Sequence, residues 1–340
     1  MPTCAFLSFR YSPTDGVSIV ARRWMGVMQR RGFDVVTVAA EGADRIVGGI
    51  GLTPDAPPDV DGLQDALADA DLVVVENLCT IPINVAAGLA AARVLAGRPA
   101  IMHHHDPPWH RPQYAHVTEL PVDDPAWAHV SITGTAAAEL AERGIDSVVI
   151  YNGFDPPRPG DRAGQRSRLG VDDDELLVCH PVRAIERKNI PAAIALTEQL
   201  GGTYWLLGPA EEGYGDTLAG LLADAHCRVI HRSCTDEHDL YGAADVVAFP
   251  SLWEGFGNPP IEAALYRRPA VVGHYPFASE LRRLGFAFFE PHDSVGVASF
   301  LARPDEGLLD HNESLARALF GMDRVDAALG DLLDARGWSP

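Results

Sequence analysis

The chain alternates short apolar runs with longer stretches in which apolar residues recur at helical spacing. This alternation predicts parallel strands joined by helices, because strands covered on both faces are apolar along their whole length. In the first half the predicted strands are Cys4–Phe9, Asp34–Ala39, Leu72–Glu76, Pro99–His103, His129–Thr133 and Ser147–Tyr151. In the second half they are Leu176–His180, Tyr204–Leu207, Arg228–His231, Val246–Pro250, Ala270–Gly273 and Ala287–Phe289.

The stretches between the strands predict helices, among them Ser18–Arg31, Ile83–Leu95, Pro191–Leu200, His238–Ala243 and Pro260–Arg267, with a helical tail over Asn312–Arg336. Residues 155–161 are polar and rich in proline and glycine, which suits neither helix nor strand. We therefore predict an α/β protein with two tandem Rossmann-like domains, 1–154 and 155–322, that face each other across a cleft. A C-terminal helix within 323–340 is expected to pack back on the first domain.

Composition narrows the functions that are open to such a fold. The 340 residues carry a net charge of −20, which opposes binding to nucleic acid. No stretch approaches 18 apolar residues, so we expect no stable insertion into a membrane. The five cysteines form no CxxC pair, and the first residues lack the pattern of a signal peptide. These features predict a cytoplasmic protein, and they leave its oligomeric state open.

The strongest local signal is the run 250–263, which follows a predicted buried strand and opens a predicted helix. Its candidate ligand-binding residues are Glu254, Gly255, Phe256, Gly257, Asn258 and Glu262. The glycines allow the backbone to approach a ligand closely, and Asn258 is of a type that caps helices. Free N–H groups at the helix start suit a diphosphate, while carboxylates suit sugar hydroxyls. Taken alone, each carboxylate is explained equally well without a ligand. Glu262 would then complement the helix dipole, and Glu254 would be an exposed surface residue.

Two basic residues, Arg183 and Lys188, flank the loop after the first strand of the second half. Arginine offers a planar fork to phosphate oxygens, and lysine offers a mobile point charge. Such a pair is placed to stabilise the charge of a departing nucleoside diphosphate. Considered alone, two basic residues in a loop are more often a solvated surface.

Together the two segments resemble the retaining glycosyltransferases of family 4 (glycosyl transferases group 1), which have the GT-B fold. The resemblance rests on Arg183 with Lys188 five positions later and on Glu254 with Glu262 beyond it. The runs 152–155 and 236–250 are also similar to the family, and the resemblance covers most of residues 145–275. Residues 1–145 match more loosely.

The resemblance implies a role for each matching residue. Arg183 and Lys188 would contact the donor diphosphate, Glu254 the transferred hexose and Glu262 the ribose. Gly16, in the loop after the first strand, would lie near the donor phosphates, although this loop is less rich in glycine than is usual in the family. The candidate donor-binding set is thus the six residues of the 250–263 run with Arg183, Lys188 and Gly16.

Three consecutive histidines, His103–His105, precede Asp106 at a predicted strand end. Side chains alternate in direction along a strand, so the three cannot all meet one ion, and we expect no metal site. By the resemblance, His105 with Asp106 matches a His-Asp pair that faces the donor sugar. His105 therefore joins Arg183, Lys188 and Glu254 as a candidate catalytic residue.

The loop after these histidines is the expected place for the acceptor. Its candidate acceptor-binding residues are Asp106, Trp109, Arg111 and Tyr114. Aromatic faces suit sugar rings, and Arg111 suits a carboxylate or a phosphate. A proline-stiffened surface loop with partly buried aromatic residues explains the same pattern equally well.

These expectations combine into one function, the retaining transfer of mannose or glucose from a nucleoside diphosphate sugar to a hydroxyl. GDP-mannose and UDP-glucose are the leading donors, and a small, soluble, acidic acceptor is favoured over a lipid. No cofactor beyond the donor is expected, and no metal is required if the basic residues stabilise the leaving group. Two alternatives stay open, a nucleotide-sugar epimerase of the same fold and a non-catalytic protein that binds a nucleotide sugar.

Overall fold

A computed structural model describes residues 1–13 and 15–340; Thr14, in the loop after the first strand, lies outside the described residues. The chain forms two compact units. Unit 1 combines Met1–Gly153 with Met322–Pro340, and unit 2 is Phe154–Gly321. The boundaries predicted at 154 and 322 lie one residue beyond those observed. Among the described residues, no helix is long and apolar enough to cross a membrane.

Unit 1 is built on a parallel sheet of seven strands. They are β1 (Thr3–Leu7), β2 (Asp34–Ala39), β3 (Arg45–Ile46), β4 (Leu72–Glu76), β5 (Ala100–His104), β6 (Trp127–Ser131) and β7 (Ser147–Val149), and their order is β3-β2-β1-β4-β5-β6-β7. Its helices are α1 (Gly16–Arg30), α2 (Val60–Ala66), α3 (Val85–Leu95), α4 (Gly134–Ala141) and the C-terminal α13 (Met322–Arg336). The strand order reverses between β1 and β4, which is where open α/β sheets bind ligands.

Unit 2 repeats this plan with a parallel sheet of five strands. They are β8 (Leu177–His180), β9 (Thr203–Leu206), β10 (Arg228–His231), β11 (Val246–Phe249) and β12 (Ala270–Val272), in the order β10-β9-β8-β11-β12. Its helices are α5 (Arg162–Leu169), α6 (Ile190–Leu200), α7 (Gly215–Asp224), α8 (Glu237–Ala243), α9 (Pro259–Leu265), α10 (Pro276–Arg283), α11 (Ser294–Ala302) and α12 (Glu306–Phe320). Here the order reverses between β8 and β11.

Both faces of the first sheet are buried, as the unbroken apolar runs predict. Alternate residues of β1 belong to different core clusters, Ala5 to one and Phe6 to the other. The cluster around Phe6 includes Trp24 of α1 and Leu329 of α13, both essentially inaccessible to solvent. Helix α13 is therefore part of the core of unit 1.

The structure corrects two predicted elements and adds one strand that was not predicted. The predicted strand Ala287–Phe289 is reduced to a single bridge between Val271 and Phe289. The helical tail is two helices, α12 and α13, which separate at Gly321. Strand β3 was not predicted, because two residues are too few for an apolar pattern to show.

Candidate functional site

In unit 2, Glu254 lies just after β11, and its carboxylate is held between two cations. Lys188 Nζ donates to Glu254 Oε1 at 2.5 Å, and Arg187 donates to Oε2 at 2.7 Å. Glu254 and Lys188 are only 7% and 9% exposed. Burial lowers the pKa of Lys188 from its ordinary value, although the adjacent Glu254 opposes this. The structure thus brings together two predicted site residues, and it fixes the Glu254 carboxylate in one orientation.

Arg187 is a member of this site that the sequence analysis missed. Besides Glu254, its guanidinium donates to the Trp253 carbonyl at 2.9 Å, so it ties the 250–263 loop to the segment after β8. Its position next to Lys188 in sequence was the available signal. Arg183 stands apart, because it pairs with Glu211 at 2.6 Å and both side chains are well exposed. An exposed pair of this kind is weak, so Arg183 can exchange its partner for a diphosphate at little cost.

The loop before α9 places its candidate residues in different settings. Gly257 has φ +83°, and a Cβ there would lie 2.8 Å from the Tyr275 hydroxyl, so glycine is required. Gly255 is half-buried, whereas Phe256 is buried and stacks on Phe277 with ring centroids 4.3 Å apart. The capping role predicted for Asn258 is wrong: it precedes α9 with helical dihedral angles, and its side chain makes no capping hydrogen bond.

Glu262 lies in the first turn of α9, where a tyrosine fixes it. The buried Tyr241 hydroxyl donates a hydrogen bond to Glu262 Oε2, and the Tyr241 ring stacks on Tyr266 at 4.9 Å. Burial, followed by the nearby Glu262, raises the pKa of Tyr241 well above its ordinary value, so it remains a donor. Tyr241 therefore positions Glu262, a contact that the sequence pattern did not reveal.

In unit 1, the histidines at the end of β5 divide between the two sides of the sheet. His103 Nδ1 and His105 Nε2 lie 2.9 Å and 2.6 Å from the same oxygen of Glu76, at the end of β4. His104 points the other way, and its Nε2 lies 2.8 Å from His129 Nδ1. The predicted alternation is thus present. The sequence analysis nevertheless missed Glu76, because the register that sets Glu76 beside His103 is not visible in sequence.

Glu76 and its two histidines are a buried ionisable cluster. Burial by itself raises the pKa of Glu76, but His103 and His105 outweigh this effect and hold that pKa at about 2. Burial likewise lowers the pKa of His103, with Glu76 opposing. The His103 ring also stacks on Trp24, with centroids 3.9 Å apart.

A cavity of about 190 Å³ opens beside this cluster, at the carboxyl ends of β1 and β4. Its polar lining includes Ser8, Arg10, Asp15, Asn77, Asp106 and Arg111. Arg111 donates to Asp106 Oδ1 at 2.8 Å, and Asn77 donates to Asp106 Oδ2 at 3.1 Å. Asn77 also accepts from the backbone N–H groups of His105 and Asp106, so it shapes this corner of the cavity. Two of the four predicted acceptor residues, Asp106 and Arg111, therefore share one cavity.

The other two predicted acceptor residues lie elsewhere in unit 1. Trp109 Nε1 donates to Glu139 at 2.8 Å, and the Arg143 guanidinium lies 3.7 Å from its ring centroid. Trp109 lines a different cavity of about 300 Å³. Tyr114 packs, partly buried, against an apolar core cluster. Neither residue lines the cavity that Arg111 lines, although the Tyr114 N–H donates to the Arg111 carbonyl at 2.8 Å.

Gly16 is the first residue of α1, just after Asp15, whose side chain caps this helix by accepting from Ser18 N–H. A Cβ at Gly16 would meet nothing within 4 Å, so no neighbouring atom of the chain requires glycine there. The close approach of a donor phosphate remains the predicted reason for this residue.

Comparison with known proteins finds a matching family and, among the relatives, one of similar length. Residues 161–299 match the family described as Glycosyl transferases group 1. The mannosylglucosylglycerate synthase of Thermotoga maritima is 26% identical, over 93% of this chain and 91% of the relative. The D-inositol 3-phosphate glycosyltransferase of Mycobacterium tuberculosis is 31% identical, but over only 46% of this chain and 34% of the relative.

Solved structures match the whole fold. The Anabaena protein HepE, crystallised with UDP and glucose, covers 98% of this chain with a TM-score of 0.73 and 20% identity. Sucrose-phosphate synthase from Thermosynechococcus elongatus covers 98% with a TM-score of 0.74 and 18% identity. The family match covers most of unit 2, including Lys188 and Glu254, and it favours a transferase over an epimerase. The chain is therefore a glycosyltransferase whose second unit carries the group 1 domain, and its fold is GT-B.

Proposed function

We propose that the protein transfers a hexose, mannose or glucose, from a nucleoside diphosphate sugar to a hydroxyl of a small acidic acceptor, with retention of anomeric configuration. The observation that carries the proposal is the buried Glu254 carboxylate clamped by Lys188 and Arg187, with Glu262 fixed by Tyr241. These are the carboxylates and cations that a nucleotide sugar requires. HepE, which shares the fold, was solved with UDP and glucose.

On the donor side, each residue has one task. Lys188 and the exchangeable Arg183 stabilise the charge of the departing diphosphate, so this step needs no metal. Glu254 accepts hydrogen bonds from the hexose hydroxyls through the lone pairs that its two cations leave free. Glu262 accepts from the ribose. GDP-mannose and UDP-glucose are the two donors to test first.

The cavity in unit 1 is the proposed acceptor site. Arg10 and Arg111 offer cations to a carboxylate, while Ser8 and Asn77 offer polar groups to hydroxyls. A volume of about 190 Å³ suits a small molecule rather than a polymer. The name of the Thermotoga maritima relative includes mannose, glucose and glycerate, which agrees with an acidic acceptor.

The proposed chemistry is departure and attack on the same face of the sugar. The bond from the anomeric carbon to the diphosphate oxygen breaks through an oxocarbenium-like transition state. The acceptor oxygen forms the new bond on that face and passes its proton to the leaving diphosphate. The chain contributes positioning and charge stabilisation, both of which lower the barrier without a protein nucleophile.

The first test is a thermal-shift panel of nucleoside diphosphates and nucleotide sugars in the presence of EDTA. A selective rise in Tm with one donor is expected, because a ligand that binds only the folded state stabilises it. The absence of any shift at millimolar concentration would refute the donor site. With a donor in hand, NMR of the product from an α-linked donor should show an α linkage.

A variant pair separates catalysis from binding. Glu254→Gln keeps the shape of the side chain but loses its charge, and we expect hexose transfer to fall sharply. Glu306→Gln, which changes an exposed glutamate paired with Arg267, is the control and should keep full activity. Equal activity of the two variants would contradict the role proposed for Glu254.

A further inference from the structure

In unit 1, Glu76, His103 and His105 form a buried cluster, and the transfer reaction assigns no role to Glu76 or His103. Their nearest ligand atoms all lie within 4.8 Å of one another. Glu76 and His103 are fully buried, and His105 is 7% exposed. A carboxylate oxygen and two imidazole nitrogens are the donors that zinc and its neighbours in the first transition row prefer.

Charge balance gives a second, independent reason to look for a cation. Glu76 forms no ion pair with a lysine or an arginine anywhere in the described part of the chain; its partners are His103 and His105. Within the described residues the two imidazoles are what compensates this buried carboxylate, and a buried charge left without full compensation is strongly destabilising. A divalent ion between the three side chains would offset that charge.

Unpartnered polar atoms in the cluster point the same way. Within residues 1–13 and 15–340, Glu76 Oε1 and His103 Nε2 are buried without a hydrogen-bond partner, whereas His103 Nδ1 faces Glu76 Oε2 at 2.9 Å. Buried polar atoms are almost always paired, so two such atoms in one cluster call for a ligand. His104, by contrast, has a partner on each ring nitrogen, Thr80 on Nδ1 and His129 on Nε2.

We propose that Glu76, His103 and His105 bind one divalent ion of the zinc type. Bonds of about 2.0–2.2 Å to a tetrahedral ion set the ligand atoms about 3.3–3.6 Å apart. Glu76 Oε2 lies 2.9 Å from His103 Nδ1 and 2.6 Å from His105 Nε2, so the atoms would have to move apart by about 0.4–1.0 Å. Glu76 also lines the 190 Å³ cavity, which gives the ion a route from solvent. The ion would balance the carboxylate and fix the orientation of the His105 ring.

Of its three residues only His105 is also a candidate catalytic residue, and Lys188 and Arg183 belong to unit 2. Failure of one proposal therefore leaves the other standing. The readouts are accordingly metal binding and stability, not transfer activity.

The test is a titration of the purified full chain, first stripped with a chelator, with Co²⁺ and with Zn²⁺. We expect one ion per chain, a visible absorption band for bound Co²⁺ and a rise in Tm with either ion. Two variants each remove one ligand, His103→Ala and the nearly isosteric Glu76→Gln. Each should weaken metal binding by more than about 100-fold, which is a larger loss than a change outside the ligand set usually causes.

His129→Ala is the matched control. It removes another buried histidine of the same unit, which contacts His104 and Asp123 but not the cluster. The control should bind Co²⁺ as tightly as the parent chain. Absence of the absorption band, or equal binding by Glu76→Gln and the parent chain, would overturn the proposal and leave the cluster as a hydrogen-bonded network balanced by an imidazole proton.

Discussion

Replacing Lys188 with methionine is the change that bears most directly on the donor site. Methionine keeps most of the apolar stem of the side chain but removes the ammonium that lies 2.5 Å from Glu254 Oε1. Breaking a buried ion pair costs roughly 3–5 kcal/mol. Arg187 still holds the other oxygen of Glu254, so we expect a smaller loss, about 2 kcal/mol in the free energy of unfolding of unit 2.

The effect on catalysis should be larger than the effect on stability. Lys188 is placed to meet charge that develops on the leaving diphosphate, and loss of one such preorganised group typically lowers kcat by about 10²–10³. The variant should lower Tm by roughly 4–8 °C, since about 1 kcal/mol corresponds to 2–4 °C at this size. Rates are therefore measured well below the Tm of the variant, at saturating donor.

A double-mutant cycle with Glu254→Gln tests the contact itself. Because the two side chains touch, their effects on the free energy of unfolding should fail to add by about 0.5–3 kcal/mol. Arg303→Met, at an exposed position, is the control for loss of a positive charge. A folded Lys188→Met variant that keeps kcat within about fivefold of the parent chain would refute the catalytic role proposed for Lys188. The loss of one preorganised group that stabilises charge in the transition state normally has a larger effect.

Three further changes test other parts of the structure. Arg111→Met should raise the acceptor KM without changing the donor KM, whereas Arg143→Met, beside the other cavity, should change neither; equal KM values in Arg111→Met and the parent would remove Arg111 from the acceptor site. Arg166 is fully buried and donates to Asp245 and to the Ala243 carbonyl, so Arg166→Met should cost about 3–5 kcal/mol and lower Tm by on the order of 10 °C; an unchanged melting curve would contradict this. Burial, with a contribution from Lys188, lowers the pKa of His180 to about 3, so the unfolded chain binds a proton there that the folded chain does not. Stability should therefore fall by about 1.4 kcal/mol per pH unit as pH drops from about 6.5 toward 3, and urea unfolding of His180→Asn should show a pH slope smaller by one proton; identical slopes would exclude this linkage.

Periodicity predicted the elements of this chain well where strands are central and buried. Strand β4 was predicted with its observed bounds, because Leu72–Glu76 is apolar up to a terminal carboxylate. The edge strand β3 and the lone bridge at Phe289 were not anticipated correctly, since two-residue pairings depend on tertiary contacts. Local pattern therefore predicts the longer strands, including the edge strand β10 with its observed bounds, but not the two-residue pairings.

The residues of the candidate site were likewise predicted where a local motif marks them and missed where their partners are distant in sequence. Lys188 and Glu254 were found because each sits in a spaced motif, and the structure brings them into contact. Glu76 and Tyr241 were missed because their partners lie on other elements, at distances in sequence that no local pattern records. Trp109 was predicted as an acceptor residue because aromatic rings suit sugars. In the structure its ring packs against Arg143 of another loop, so the residue type alone did not predict its position.

Unit 1 is built from two separate segments of the chain, and this affects the order in which the two units can fold during translation. Leu329 and Leu333 of α13 fill the same core as Trp24 and Met28 of α1, yet all of unit 2 lies between these helices in the chain. Because the ribosome delivers residues in order, α13 emerges only after the whole of unit 2 has been made. The nascent first sheet must wait with the Trp24 side of α1 uncovered, while unit 2 already has all its residues. The second unit in sequence is thus the first that can finish folding, and chaperones would be needed most by the segment that was translated earliest.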